Sequence, residues 1–170
     1  MPYNDDASRD FSPGEDLLQR KVEVLALVTM AAAMGWWSGV ANAQTGGRTV
    51  WDGVYSAAQA ERGKNLYAGA CAGCHGRTLE GGHIFGSRTR SAPALRGDAF
   101  LSIWNGLPTG ELFSRISKTM PLDHPGSLSD EDNTDIVGFI LQTNGFPVGS
   151  RDLPADIGVM NSIRIVSEKK

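Results

Sequence analysis

The chain has 170 residues, a formal net charge of −3 and 21 glycines. This length fits one domain preceded by a leader, and the apolar and charged fractions are those of an ordinary soluble globular protein. No basic stripe is present of the kind that binds nucleic acid. Residues 44–170 carry equal numbers of acidic and basic side chains, so the net charge indicates no particular partner.

The first 43 residues have the pattern of a secretory signal peptide. Arg20 and Lys21 precede an apolar run over residues 22–37, and an Ala-x-Ala site ends at Ala43. The alternative is an uncleaved N-terminal anchor, although the run is short for a membrane span and contains Glu23. We therefore expect export to the periplasm, with attachment to the inner membrane only if the leader is retained.

The first helix after the leader is predicted by a capping box over residues 56–59, in which Gln59 reaches back to the cap at Ser56. The helix runs to about Gly69 and leads directly into Cys71. One of its faces collects small and aromatic residues at helical spacing, namely Ala60, Gly63, Tyr67 and Ala70.

The only two cysteines lie in Cys71-Ala72-Gly73-Cys74-His75. C-x-x-C-H is the attachment signature of c-type haem. Two thiols add to the vinyl groups on one porphyrin edge, and the imidazole of His75 then lies under the iron as the proximal ligand. We therefore predict one covalently bound haem c, which would also stabilise a small domain with little buried apolar surface.

Three other uses of two cysteines fit less well. A thiol redox pair is typical of a βαβ setting, and no such pattern surrounds Cys71. A zinc site needs four ligands, whereas the other histidines, His83 and His124, are scattered along the chain. A disulfide between Cys71 and Cys74 would close a very small loop and would stabilise the fold little.

Two shorter helices are predicted in the middle of the chain, from Asp98 to about Trp104 and from Thr109, as the cap, to about Lys118. Met120-Pro121 follows the second of them, and the proline ends the helix there. Met120 is the preferred sixth ligand, because methionine opposite histidine is the electron-transfer arrangement of haem iron. The alternatives are ordinary core packing of Met120, or His124 as the ligand.

The last predicted helix begins after Ser129 with three acidic residues, which favour a helix N-terminus. It ends at Asn144-Gly145. Gly63 and Gly138 both lack a side chain, so we predict that they mark a close crossing of the first and last helices. The domain is thus placed at residues 44–149, and the polar residues 150–170 are predicted to be a loosely ordered tail.

Together these residues resemble the class I c-type cytochromes. The matching features are the helix ending in Tyr67, the C-x-x-C-H run, Ala92-Pro93-Ala94-Leu95, Met120-Pro121 and the terminal helix over residues 130–143. The resemblance implies an all-α cytochrome c fold, with three to five short helices around the haem. It also implies that the carbonyl of Pro93 accepts a hydrogen bond from the ring of His75, and that methionine ligation gives oxidised protein a weak far-red absorption band.

Contacts to the haem periphery are less specific. Tyr67, Trp104 and Arg115 are candidates for packing on the haem or binding its propionates, because each side chain can donate a hydrogen bond. Residues 50–55 look like the cytochromes that accompany periplasmic quinoprotein dehydrogenases, although Trp51 and Tyr55 could simply pack beside the fold.

The expected function is that of an electron carrier rather than an enzyme, because both axial positions of the iron would be filled. The expected partners are a periplasmic dehydrogenase as donor and a terminal oxidase or second cytochrome as acceptor, contacted by a monomer. The alternatives are an electron-transfer subunit of a quinoprotein alcohol dehydrogenase, and a five-coordinate haem enzyme or gas-binding protein.

Overall fold

The computed structural model describes residues 47–84 and 89–168. The predicted leader lies outside the described residues. Within them the protein is helical with one short antiparallel ladder, as the all-α prediction requires. The described residues form six α-helices, whereas three to five were predicted. Two of the six are only four and five residues long, too short to show a helical pattern in the sequence. In these two ranges no helix is both long enough and apolar enough to cross a bilayer.

The four predicted helices occur in the predicted order, and a 3-10 helix, a four-residue helix, a short ladder and a last helix are additional. They are a 3-10 helix Val50–Asp52, α1 Ala57–Ala70, α2 Ala72–His75, β1 Gly82–His83, β2 Ser91–Ala92, α3 Gly97–Trp104, α4 Thr109–Thr119, α5 Asp130–Thr143 and α6 Ile157–Asn161.

The cap of α1 is confirmed, but the reciprocal half of its capping box is not. The Ser56 hydroxyl accepts a hydrogen bond from the Gln59 backbone N–H at 3.0 Å. The buried Gln59 amide turns away from the cap, donating to the Leu153 carbonyl at 2.9 Å and accepting from the Leu153 N–H at 2.7 Å. A backbone partner from the distant end of the chain therefore replaces the predicted local contact.

The last long helix, α5, has the predicted boundaries. The Ser129 hydroxyl accepts from the Asp132 N–H at 3.0 Å, which satisfies one free donor of the first turn. At the other end Asn144 closes the helix and Gly145 takes a positive φ of 79°, a conformation that favours glycine. Local signals at both ends were sufficient to predict this helix.

Helices α1 and α5 form the most extensive helix–helix contact among the described residues. A Cβ atom on Gly63 would lie 1.9 Å from the carbonyl oxygen of Asp135, so the two backbones touch at this point. A Cβ on Gly138 would meet the Gln59 Cγ at an ordinary 3.4 Å. The predicted close crossing therefore depends on Gly63, and Gly138 is not needed for it.

We expect Gly63→Ala to destabilise the protein by about 2 kcal/mol or more, because a backbone carbonyl cannot move away as a flexible side chain can. Gly69→Ala is the matched control, since it lies in the same helix and its Cβ would meet nothing within 4 Å. That variant should gain up to about 1 kcal/mol from helix propensity. Chemical denaturation measures both, and equal effects would contradict the close crossing.

The start of α4 differs from its prediction. Pro108, not Thr109, precedes the helix, and no side chain caps it. Thr109 is fully buried, and its hydroxyl donates to the carbonyl of Met160 at 2.9 Å. The prediction failed because α6 packs against this turn and supplies the partner that a local cap would have supplied.

The prediction that residues 150–170 form a loosely ordered tail is wrong for residues 150–168, and the last two lie outside the described residues. The residues that we name the C-terminal segment, 150–168, place four apolar side chains in the core, each no more than 2% exposed. They are spaced irregularly among polar neighbours, so neither a helical nor a strand period revealed them. These side chains are Leu153, Met160, Ile163 and Ile165.

The end of the C-terminal segment lies between two other parts of the backbone. On one side, the Val50 N–H donates to the Arg164 carbonyl and the Arg164 N–H donates to the Arg48 carbonyl, both at 2.9 Å. On the other side, the Ile165 N–H donates to the Leu107 carbonyl at 2.9 Å. The described beginning and end of the chain are thus held together.

Trp51 and Tyr55 pack within this closure. The indole N–H of Trp51 donates to the Val166 carbonyl at 3.0 Å. The buried Tyr55 hydroxyl donates to the Phe146 carbonyl at 2.5 Å, and burial raises the pKa of Tyr55 to about 12. Both side chains therefore have a structural role that explains their presence without a partner protein.

An ion cluster links the C-terminal segment to both long helices. The Arg62 guanidinium lies 2.7 Å from a carboxylate oxygen of Asp135 on α5 and 2.7 Å from one of Asp152. The Ser56 hydroxyl also donates to Asp152. These hydrogen bonds, from Ser56 first and then Arg62, hold the pKa of Asp152 below its usual range.

A depressed carboxyl pKa stabilises the folded protein above the pKa of the unfolded chain, and this contribution is lost as the pH falls below about 4. We expect Asp152→Asn to lower stability modestly at pH 7, with the difference from the natural protein shrinking in acid. Asp123→Asn removes the same charge from an exposed loop and is the control. Urea titrations at pH 7 and below pH 4 test this, and a difference that does not vary with pH would contradict it.

Candidate functional site

The attachment motif forms one helical turn at the junction of α1 and α2. The Cys71 N–H donates to the Tyr67 carbonyl at 2.9 Å, which completes α1, and the Cys71 carbonyl accepts from the His75 N–H at 2.9 Å. Positions i, i+3 and i+4 of a helical turn lie on the same face. Cys71, Cys74 and His75 occupy these positions, so two sulfurs and one imidazole can act on the same ligand.

The ring of His75 is held in one tautomer. Its Nδ1 atom lies 2.9 Å from the Pro93 carbonyl oxygen, which is the contact that the family resemblance implies. A carbonyl only accepts hydrogen bonds, so the proton is assigned to Nδ1 and the lone pair to Nε2. His75 is only 8% exposed. The buried imidazole is thereby prepared to donate its Nε2 lone pair to a metal ion.

Gly81 brings Pro93 close to His75, a role that was not predicted from the sequence. The Gly81 N–H donates to the His75 carbonyl at 2.7 Å. A Cβ on Gly81 would lie 2.8 Å from both the Ala92 oxygen and the Ala94 nitrogen, and its φ is +80°. Only glycine fits this close approach, so the pairing of β1 with β2 sets the distance between Pro93 and the ring.

Asn144 is a second residue whose role near the site was missed. Its side-chain oxygen accepts from the Gly97 N–H and its amide donates to the Leu95 carbonyl, each at 2.9 Å. The end of α5 therefore holds the loop that follows Pro93. The Asn144-Gly145 pair was interpreted as a helix stop only, and no local pattern could indicate the additional contact.

The thiol environment does not favour redox chemistry at sulfur. Both cysteines are free and partly buried. Burial, followed by the neighbouring Cys74, raises the pKa of Cys71 to about 11. A reactive thiol pair needs a lowered pKa. In residues 47–84 and 89–168 no three His, Cys, Asp or Glu side chains cluster as metal ligands.

Met120 lies directly after α4 and is coupled to its last turn. The Met120 N–H donates to the Ile116 carbonyl at 3.0 Å, and the side chain is partly buried against the core. The rival His124 is in a different environment. Its side chain is 76% exposed and pairs with Asp123, Nδ1 to Oδ2, at 3.3 Å. Met120 is the better placed of the two for a site that excludes water.

The other potential ligands are no better placed. His83 is exposed on β1. Met160 is fully buried in the core rather than in a loose tail, because α6 packs against α4. Met160 therefore belongs to the hydrophobic core.

The three candidates for haem contacts differ in what they can donate. The Tyr67 hydroxyl donates to the Gly76 carbonyl at 2.8 Å, so its single proton is already used inside the protein. Tyr67 therefore does not fit a propionate donor, and it braces the turn after His75 instead. Trp104 is 9% exposed beside Phe100 at the end of α3. Arg115 is exposed on α4 and makes no ion pair within the described residues.

The residues present fit a haem. The donor set offers two thiols and a buried imidazole with a directed lone pair, followed along the chain by a half-buried thioether. Several apolar side chains pack against the core and stay partly exposed, so a flat apolar group has apolar surface to cover. They come from the attachment turn, the loop after Pro93, helix α3 and the region of Met120, namely Cys71, Ala72, Leu95, Leu101, Met120 and Leu128.

One comparison with known proteins gives a match. A family model described as cytochrome c oxidase, cbb3-type, subunit III, matches residues 58–140. The match begins in α1, includes Cys71 to His75, Pro93 and Met120, and ends in α5. No curated protein and no solved structure gives a significant match.

Proposed function

Residues 58–140 are a c-type cytochrome domain, which binds haem and transfers electrons, and from this premise we propose that the chain is an exported single-electron carrier. The proposed carrier holds one haem covalently through Cys71 and Cys74, with His75 and Met120 as axial ligands of the iron. It receives electrons from a periplasmic dehydrogenase and passes them to a terminal oxidase or a second cytochrome.

The observation that carries this proposal is the orientation of His75. A histidine next to two thiols could be a general base or a surface residue, but Nδ1 is 2.9 Å from the Pro93 carbonyl and the ring is buried. This arrangement excludes a surface residue and leaves one lone pair, on Nε2, free for a metal ion. A general base would present the same lone pair, and the C-x-x-C-H spacing of Cys71, Cys74 and His75 favours ligation of haem iron.

The residues around the site keep this geometry unchanged during electron transfer. When bound, haem supplies an iron that accepts and releases one electron. The Pro93 carbonyl keeps the Nδ1 proton in place and makes the imidazole a better donor. Tyr67 fixes the Gly76 carbonyl at 2.8 Å, so the turn after His75 cannot swing outward. A rigid site limits the reorganisation that each electron transfer would otherwise require.

The proposed role is tested on full-length protein made with haem-maturation machinery and recovered by fractionation. We expect a coloured periplasmic protein that is oxidised and reduced reversibly by one electron and shows the weak far-red band when ferric. Reduced protein should not bind carbon monoxide. Ready carbon monoxide binding without the far-red band would instead indicate the five-coordinate haem enzyme or gas-binding protein.

A second candidate function is favoured by the description of the matching family, which names an oxidase subunit. The chain would then be the electron-transfer subunit of a larger oxidoreductase, either an oxidase or a quinoprotein alcohol dehydrogenase. Size-exclusion chromatography of periplasmic and membrane extracts distinguishes the two functions. A carrier elutes at the size of a monomer, and a subunit elutes with a larger complex whose activity depends on it.

A further inference from the structure

The C-terminal segment, residues 150–168, contacts the helices that lead to both predicted axial ligands. At its beginning, the Leu153 backbone forms two hydrogen bonds with the Gln59 side chain on α1, which runs into Cys71. Further along, Met160 and Ile163 contact the first turn of α4, which ends at Met120. This segment lies outside residues 58–140, so it is an addition to the part of the chain that matches the family.

The first residue of α4 depends on this segment for its polar contacts. The four N–H groups at a helix start have no partner within the helix. No side chain caps α4, and the Thr109 N–H donates instead to the Ile163 carbonyl at 2.8 Å. The Thr109 hydroxyl donates to the Met160 carbonyl at 2.9 Å, and Thr109 is fully buried. The segment thus replaces the cap of α4.

The loop before α4 is held by the same segment. The Gly106 N–H donates to the Ile165 carbonyl at 2.7 Å, and the Arg164 guanidinium donates to the Gly106 carbonyl at 2.9 Å. The Asn105 side-chain oxygen accepts from the Ser167 N–H at 2.9 Å. The segment therefore holds the start of α4 through hydrogen bonds to four of the five residues 105–109.

A small tilt of α4 at its first turn would displace Met120, at the other end of the helix, by a larger distance. An eleven-residue helix is about 16 Å long, so a tilt of roughly 5° about its first turn would displace Met120 by about 1.4 Å. A thioether is a weak ligand, and its bond to a metal depends on accurate positioning by the protein. Helix α4 also contacts α5, which limits the tilt without removing it.

We infer that the C-terminal segment holds α4 in place so that Met120 resists displacement from the iron, with Thr109 as the main positioning residue. This inference rests on the proposed function, in which Met120 is an axial ligand. It assigns to residues 150–168 a role in ligand exchange that their distance along the chain from the attachment motif does not indicate.

The test measures how readily imidazole displaces Met120 in the ferric holoprotein, followed by loss of the far-red band. Thr109→Val removes the hydroxyl that joins α4 to the Met160 carbonyl and leaves that carbonyl only the Ile163 N–H at 3.2 Å, so we expect imidazole to bind roughly tenfold more tightly. Thr109→Ser keeps the hydroxyl and should behave like the natural protein. A purely structural role would lower the unfolding midpoint without this change in imidazole affinity.

Two further variants, at the exposed residues Arg164 and Arg151, test the inference if Thr109→Val does not fold. Arg164→Ala removes the contact to Gly106 and should tighten imidazole binding about threefold. Arg151→Ala removes an exposed arginine of the same segment that forms no hydrogen bond or ion pair with α4 or the loop before it among the described residues, and should have no effect. If Thr109→Val is not recovered folded, the comparison of these two arginine variants decides.

The failure of this inference and that of the proposed ligand are distinguishable. If Met120→Ala abolishes the far-red band but Thr109→Val and Arg164→Ala both bind imidazole within twofold of their controls, the segment does not position Met120. If the natural protein lacks the band and Met120→Ala binds imidazole with unchanged affinity, Met120 is not the ligand. The inference then fails together with that part of the proposed function.

Discussion

Replacing both Cys71 and Cys74 with alanine is expected to abolish covalent haem attachment completely. Each thioether needs one thiol, and the chain has no other cysteine to substitute. Intact-mass measurement after denaturation should show the natural protein with the added mass of one haem, and the double variant without it. Each single variant should form one thioether bond to the haem and give a lower yield of haem-bound protein.

The matched control for this experiment is Gly73→Ala. Gly73 lies between the two cysteines, and a Cβ there would meet nothing within 4 Å. It therefore changes the same short helix without removing a thiol, and haem attachment should persist. If the double cysteine variant still carried haem after denaturation, attachment would use other residues, and the proposed cofactor site would be wrong.

Replacing Met120 with alanine is expected to lower the reduction potential by the order of a few tenths of a volt, since axial ligands set haem potentials over about 0.8 V. The same variant should bind imidazole and carbon monoxide readily, because one axial position is left open. Redox titration measures the potential, and the absorption spectrum reports ligand binding.

Met160 and His124 supply the controls for Met120. Met160→Leu alters the other methionine of the described chain, which is buried in the core, and should cost less than about 1.5 kcal/mol with an unchanged potential. His124→Ala removes an exposed side chain and should leave the spectrum unchanged. A shift in potential in His124→Ala but not in Met120→Ala would make His124 the ligand.

The features that the sequence predicts correctly are governed by neighbouring residues. Helix α5 begins after Ser129 and ends before Asn144 because its caps are local. The C-x-x-C-H run is recognised from its spacing alone, because that spacing sets which groups can reach the haem. Gly63 was predicted only in part. Its lack of a side chain indicated a close helix crossing, but the group that it contacts, the Asp135 carbonyl, is identified only by the structure.

The features that the sequence does not predict involve partners far along the chain. Gln59 was expected to bond its own cap, and Thr109 to cap α4, but both use the backbone of the C-terminal segment. The segment was itself misjudged from its polar composition, because its four buried side chains follow no period. Tyr67 was considered a haem contact, and its proton belongs to the Gly76 carbonyl nine residues away.

The pairing of Arg48 and Val50 with Arg164 has a consequence for biosynthesis. The last described residues complete the fold, and Trp51 and Val166 are separated by 115 positions. Contacts of such long range form late, and a ribosome-bound chain that ends before residue 150 lacks the residues that make them. The closure between residues 48–51 and 164–166 therefore forms only after residue 166 has been synthesised.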